Sequence, residues 1–188
     1  MIEFEKVTTR GGDRGESSLY NGERRRKDDL LFETMGDIDE LSSFLGVAKA
    51  TCEDKKLSEL ISSVQLTLLN LGAQIATPKS NPLYSKISPV SKDDVKRLEE
   101  VEEGYLRRTE IGGEFVLPGE NLLSAQLDVA RAVCRRAERK VVACIREREM
   151  IQLAAGQNYL NRLSDLLFIL GRNVGQSPQK RFGRARGK

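Results

Sequence analysis

The chain contains no histidine. That absence removes Ser-His-Asp triads, histidine-bearing zinc sites and the Glu-x-x-His carboxylate bundles in one stroke, so any chemistry proceeds without imidazole. Cysteine is scarce as well: Cys52, Cys134 and Cys144 are an odd set with no CxxC pairing. They argue against a disulfide framework or a thiolate metal cage, and a reducing cytoplasm or organelle matrix is the expectation, with the cytoplasm the localisation expected. No apolar stretch approaches the ~18 residues of a membrane span, and the opening MIEFEK is too acidic for a secretory leader. A soluble protein is expected. Acid is missing from Gln176 to Lys188, which carries Lys180, Arg181, Arg184, Arg186 and Lys188. The net charge of +3 and pI near 8.8 therefore describe a tail on a slightly acidic body.

At 188 residues, with 39% hydrophobic and 31% charged content, the chain suits one charge-rich globular domain. Leu31, Met35, Ile38, Leu45 and Ala48 recur with helical spacing behind a cap at Asp28 or Asp29. A second helix is predicted from Lys55 to Ala76, stopped by Thr77-Pro78, and Pro78 to Val90 reads as a loop. Ser91 to Asp94 has capping-box spacing and opens a third helix on Val95, Leu98, Val101 and Tyr105. Phe115 to Gly119 is an extended turn, Leu122 to Met150 a long fourth helix, and Asn158 to Val174 a fifth with a leucine stripe. With no strong strand signal, the expected fold is all-α: an antiparallel five-helix bundle in up-and-down, ferritin-like arrangement. Three regions follow: a Gly-rich basic arm (1–27), the bundle (28–175) and a basic flexible tail (176–188).

Polar residues cluster at four places. The arm sets Thr9, Arg10, Gly11, Gly12, Ser17, Ser18 and Lys27 close together. Its glycine amides, hydroxyls and cations are the ingredients of a phosphate cradle, and a solvated arm is the competing reading. On the fourth helix Arg131, Arg135 and Glu138 share a stripe flanked by Arg136 and Arg139. Four arginines around one glutamate call for an anion, whereas outward ion pairing is the plainer alternative. Asn161 and Asp165 stand beside the fifth helix's leucines, facing either a groove or a neighbouring helix. Asp39 sits at the rim of the first helix's apolar face, where an acid usually has a cationic partner.

The motifs TTRGGDRGESS, GERRRKDD, MGDIDELSSFLG, FVLPG, RAVCRRAER and YLNRLSDLLF, in this order from about Thr8 to Arg172, resemble the PduO-type ATP:cob(I)alamin adenosyltransferases. The resemblance implies a homotrimer with active sites between subunits. It also implies transfer of the 5′-deoxyadenosyl group of ATP to the cobalt of a reduced corrinoid, leaving triphosphate. Co(I) is itself the nucleophile, so a histidine-free site is adequate. Carried over by position, Thr9, Arg10, Gly11, Gly12, Ser17, Ser18 and Lys27 would hold the triphosphate. Arg135, Arg136, Glu138, Arg139 and Asn161 would complete the ATP site. Asp39 and Arg131 would pair at the interface beside the corrinoid, with Asp165 and the tail's Phe182 on the same side. Phe115 would press on the corrin ring and displace the lower axial ligand. The catalytic set would be Arg131, Arg135, Asp39 and Phe115. Mg²⁺ would enter with the triphosphate, no protein metal ligand being picked out.

Three positions depart from the family pattern: Gly11 stands in place of Thr, Glu120 in place of a second Gly, and Asp128 in place of His one turn before Arg131. Asp128 is placed to compete with Asp39 for Arg131. The alternatives are a non-catalytic ATP- or adenosylcobalamin-binding bundle and, with only Phe182 as an aromatic in the tail, a nucleic-acid binder. Expected partners are ATP and reduced cobalamin, with a corrinoid reductase or an adenosylcobalamin-dependent enzyme beyond them.

Overall fold

The computed structural model describes residues 4, 8–112, 115–175 and 181–182. Two short strands, β1 (Glu16–Ser18) and β2 (Arg24–Arg26), precede three helices: α1 (Leu30–Ala50), α2 (Lys55–Ile75) and α3 (Lys92–Leu106). Then come β3 (Phe115–Val116), α4 (Leu122–Glu147), α5 (Ala154–Val174) and β4 (Arg181–Phe182). Pro82–Lys86 and Ile151–Leu153 are single 3-10 turns.

Four of the five long helices, α1 to α4, start where a side chain satisfies otherwise orphaned amides. Asp29 accepts from Leu31 N, Asp54 from Lys56 N and Leu57 N, and Asn121 from Ser124 N. Ser91 and Asp94 form the reciprocal capping box. The buried faces follow the helical period: Leu31, Ile38, Leu41, Leu45 and Ala48 on α1, and Leu57, Ile61, Val64, Leu68, Leu71 and Ile75 on α2. Leu160, Leu163, Leu167 and Leu170 continue the core from α5. Burying one such leucine stabilises the fold by about 1.5–3 kcal/mol, so this core outweighs any surface ion pair.

Cross-helix bonds fix the helix directions. Gln65 Nε2 donates to Ser42 O at 2.9 Å and Lys49 Nζ to Ser62 Oγ at 3.3 Å, so α1 and α2 run antiparallel. Thr34 lies against Cys144 at 3.2 Å and Thr51 against Gln126 at 2.6 Å, which makes α1 and α4 antiparallel too. Cys134 meets Leu160 O at 3.2 Å while Asp128 meets Arg172, reversing α5 against α4. Successive helices thus alternate up and down. The exception to antiparallel neighbours is α3, which runs alongside α5 in the same direction: Glu102 reaches the level of Asp165, and Thr109 the level of Asn173, whose amide it accepts at 2.9 Å.

Strands are the main difference from expectation. β1 and β2 form an antiparallel hairpin pairing Glu16 with Arg26 and Ser18 with Arg24, and its polar, exposed residues give no alternating apolar pattern to read. Gly15 (φ +78°) and Gly22 (φ +83°) take the left-handed backbone that its bends require. β3 and β4 pair Phe115 with Phe182 and Val116 with Arg181, so two residues of the tail join the extended turn. The rest of the tail lies outside the described residues. α4 ends at Glu147 rather than Met150, because Arg148 N closes on Cys144 O and Glu149 turns to φ +54°. α5 begins at Ala154 rather than Asn158, entered from the 3-10 turn without a side-chain cap that would mark it. No described helix is long and apolar enough to cross a membrane.

Candidate active site

The stripe on α4 opens onto two adjoining clefts. One, of about 330 Å³, is walled by Arg131 and Arg135 of α4, Glu102 and Leu106 of α3, Ile111, and Ser164, Asp165, Phe168 and Ile169 of α5. The other, of about 320 Å³, is lined by Arg135, Glu138, Arg139, Val142 and Asn161. Arg135 belongs to both. In the second cleft Asn161 Nδ2 donates to Glu138 Oε1 at 3.0 Å, while the Asn161 carbonyl accepts from Arg162, so the amide is held at both ends. Arg139 folds back onto Arg135 O at 3.0 Å. Neither Arg135 nor Arg139 has an ion-pair partner among the described residues. Two guanidiniums against the single Glu138 carboxylate give a net positive cleft, the charge an anion requires. The first cleft sets Leu106, Ile111, Phe168 and Ile169 among charged groups, and in it burial and then the neighbouring Asp165 push the Glu102 carboxyl up from its ordinary range.

Arg136 goes elsewhere. It follows Arg135 in sequence but points about 100° around the helix, where it donates to Asp37 Oδ1 at 3.1 Å and to Glu40 on α1. Lys140 is likewise tied to Glu33. The sequence reading grouped Arg136 with the ATP residues; the fold separates it from Arg135 and Arg139. Asp39 is exposed on α1, with no ion-pair partner among the described residues. The carboxylate nearest Arg131 is instead Asp128, 3.8 Å from its Nε, and Asp128 itself holds the buried Arg172 at 2.5 Å. Arg172 escaped the sequence reading: it lies 44 residues from Asp128, beyond any spacing rule within one helix. Phe168, which lines the first cleft, gave no signal beyond its helical position.

The arm forms its own surface. Arg14, Gly15, Glu16, Arg26, Lys27 and Asp28 line a cleft of about 630 Å³. A Cβ added to Gly12 would lie 2.8 Å from Lys27 Nζ, so the free end of that lysine rests against the Gly12 backbone and would have to swing aside for any larger residue. Arg24 is held by Glu16 and by Gly11 O, Arg25 by Glu23 and Asp29, and Arg26 by Asp28. Lys27, Arg10 and Arg14 keep no ion-pair partner among the described residues. Thr9, Arg10, Gly11 and Ser18 are exposed, whereas Gly12 and Ser17 are half-buried. Among the described residues, no hydrogen bond or ion pair joins Thr9 to Ser18 with Arg135, Glu138, Arg139 or Asn161. Nor do any three His, Cys, Asp or Glu residues converge to hold a metal.

Comparison with known proteins gives this geometry a family. The family model described as cobalamin adenosyltransferase matches residues 7–174. The corrinoid adenosyltransferase of Citrobacter freundii is 37% identical over 173 residues, covering 92% of this chain and 97% of that protein. The human corrinoid adenosyltransferase MMAB is 39% identical over 171 residues, covering 89% and 68% respectively. A variant of the PduO-type ATP:corrinoid adenosyltransferase from Lactobacillus reuteri, solved with cobalamin and ATP, superposes with a TM-score of 0.82 at 28% identity. It covers 94% of this chain and 98% of that one. A family match spanning the arm, α4 and α5 together, with relatives above 30% identity over nearly the whole length, means that the chain belongs to the cobalamin adenosyltransferase family and is a corrinoid adenosyltransferase.

Proposed function

We propose that the two α4/α5 clefts and the arm are parts of one composite site between subunits of a homotrimer, in which Arg135 stands between the two substrates. The enzyme transfers the 5′-deoxyadenosyl group of ATP to cob(I)alamin or a related corrinoid, giving adenosylcobalamin and triphosphate. The cobalt supplies the electron pair of the new Co–C bond, and the C5′–O bond breaks with its pair leaving on triphosphate. The cobalt is formally oxidised from Co(I) to Co(III). The observation that carries the proposal is that one guanidinium lines two adjoining clefts, one beside Glu138, Arg139 and Asn161 and the other beside Arg131, Asp165 and Phe168.

In this reading Arg139, Glu138 and Asn161 orient the nucleotide, while Thr9, Arg10, Gly11, Gly12, Ser17, Ser18 and Lys27 of a neighbouring copy cradle the triphosphate. Mg²⁺ would take its ligands from triphosphate oxygens, since the described side chains offer it no cluster. The corrinoid would lie on the side of Arg131 and Asp165, with Asp39 of a neighbouring subunit facing Arg131 and with Phe115 and Phe182 against the ring. Arg136, bound by Asp37 and Glu40, would act on the nucleotide by holding α1 to α4 beside it. Three free thiols suit a reducing cytoplasm.

Arg135→Ala and Lys27→Ala chains, assayed alone and as mixed assemblies by the disappearance of cob(I)alamin absorbance, test this arrangement. Losing a preorganised donor to the departing triphosphate costs about 3 kcal/mol, so Arg135→Ala turnover at saturating ATP should fall on the order of a hundredfold. Mixed assemblies should regain activity, because some interfaces then carry both intact residues. Unchanged turnover in Arg135→Ala, or no recovery on mixing, would overturn the composite site.

A further inference from the structure

Asp128 occupies an unusual electrostatic position. It is one carboxylate between two guanidiniums, with a side chain 5% exposed, in a part of α4 that packs on the last turn of α5. Its Oδ2 is taken by Arg172, whose side chain is 1% exposed. Its Oδ1 faces Arg131 Nε at 3.8 Å, beyond hydrogen-bond reach. Arg131 Nε is buried without a hydrogen-bond partner among the described residues. Arg172 is fixed from a second direction, its guanidinium carbon lying 5.6 Å from the centre of the Phe168 ring. Phe168 and Arg131 line the same cleft.

Each element of this cluster restricts the next. Arg172 cannot leave Asp128 without stranding a buried charge, so the carboxylate is immobile. An immobile carboxylate at 3.8 Å attracts Arg131 without capping it. Arg131 is therefore steered by charge through its buried Nε, while its terminal amino groups make no hydrogen bond or ion pair among the described residues.

We propose that Asp128, anchored by Arg172, is a positioning residue for Arg131, setting the guanidinium that meets the corrinoid. This rests on the assignment of Arg131 to the corrinoid side. It gives this aspartate a task of its own: it supplies through a fixed negative charge an orientation that a neutral residue at this position cannot.

Steady-state kinetics with cob(I)alamin and ATP separate the possibilities. The variants are Asp128→Asn, the charge-free double variant Asp128→Asn/Arg172→Met, Arg131→Ala, and Asp128→Asn in the Arg131→Ala background. The double variant keeps the test available if Asp128→Asn alone leaves Arg172 uncompensated and fails to fold. Positioning through Arg131 predicts a rise of about tenfold in the KM for corrinoid in both Asp128 variants, the scale of a contact-level coupling. The KM for ATP should hold within about twofold, a split that general destabilisation would not produce. In the Arg131→Ala background, Asp128→Asn should add nothing further. If Arg131→Ala raises the corrinoid KM but Asp128→Asn/Arg172→Met does not, or if the Asp128 effect persists without Arg131, the positioning role is wrong. If Arg131→Ala itself leaves the corrinoid KM unchanged, the underlying assignment of Arg131 fails, and this proposal with it.

Discussion

Adding a single methyl group to Gly156 should loosen the contact between α5 and α2. A Cβ built there lies 2.5 Å from Leu71 Cδ1 and 3.6 Å from both Cγ and Cδ2. Carbon atoms rest about 3.5–4.0 Å apart, so Cδ1 must retreat by roughly 1 Å. Leu71 is fully buried, so the displaced methyl must press into close-packed core neighbours. Overpacking of this kind costs about 1–3 kcal/mol, against roughly 1 kcal/mol gained by replacing glycine with alanine in a helix. The balance is a net loss of up to about 2 kcal/mol, which lowers the melting temperature of a chain this size by about 2–4 °C per kcal/mol. The same substitution behind Leu71→Val meets a shorter side chain and should instead be stabilising. Thermal melts of the four proteins of this cycle, followed by far-ultraviolet circular dichroism, measure the coupling. A rise in melting temperature for Gly156→Ala in the wild-type background, or the same change in both backgrounds, would refute the close-approach argument.

Two further perturbations test the charged parts of the bundle. Glu102, whose carboxyl is pushed up first by burial and then by Asp165, contributes stability while protonated and loses it as pH rises through its raised value. Glu102→Gln should therefore melt higher than wild type at neutral pH and equal to it below about pH 4, and parallel melting curves across that range would show that the carboxyl is unstrained. Asp128→Ala leaves Arg172 as a buried, uncompensated charge and should cost about 3–5 kcal/mol in urea unfolding, most of it recovered by adding Arg172→Met; a double variant no more stable than Asp128→Ala would mean that Arg172 finds another partner.

The helices were legible because their signals are local. Leu57, Ile61, Val64, Leu68 and Leu71 announce a buried face by spacing alone, and Ser91 with Asp94 announces a start by capping chemistry. The lining of the candidate clefts was legible in part for the same reason: Arg131, Arg135 and Glu138 share a helix face, so clustering on α4 follows from the period. What escaped depends on partners distant in sequence. Arg136 differs from Arg135 by one position, yet Asp37 and Glu40 decide its role from nearly a hundred residues away. Asp128 and Arg172 meet only because α4 and α5 reverse against each other. The β1/β2 hairpin stayed hidden because Arg24, Arg25 and Arg26 find their acids across and beside the strands, leaving no apolar alternation.

The place of Arg135 in two clefts at once carries a thermodynamic obligation. An anion entering the cleft beside Glu138 and Arg139 changes the charge and the rotamer freedom that this guanidinium presents to the cleft beside Arg131 and Phe168. Whatever factor the first ligand imposes on the affinity of the second, the second must impose equally on the first. On the proposed arrangement, with one substrate on each side of Arg135, this common wall would link the two affinities, so that each substrate's binding constant would read out whether the other is present.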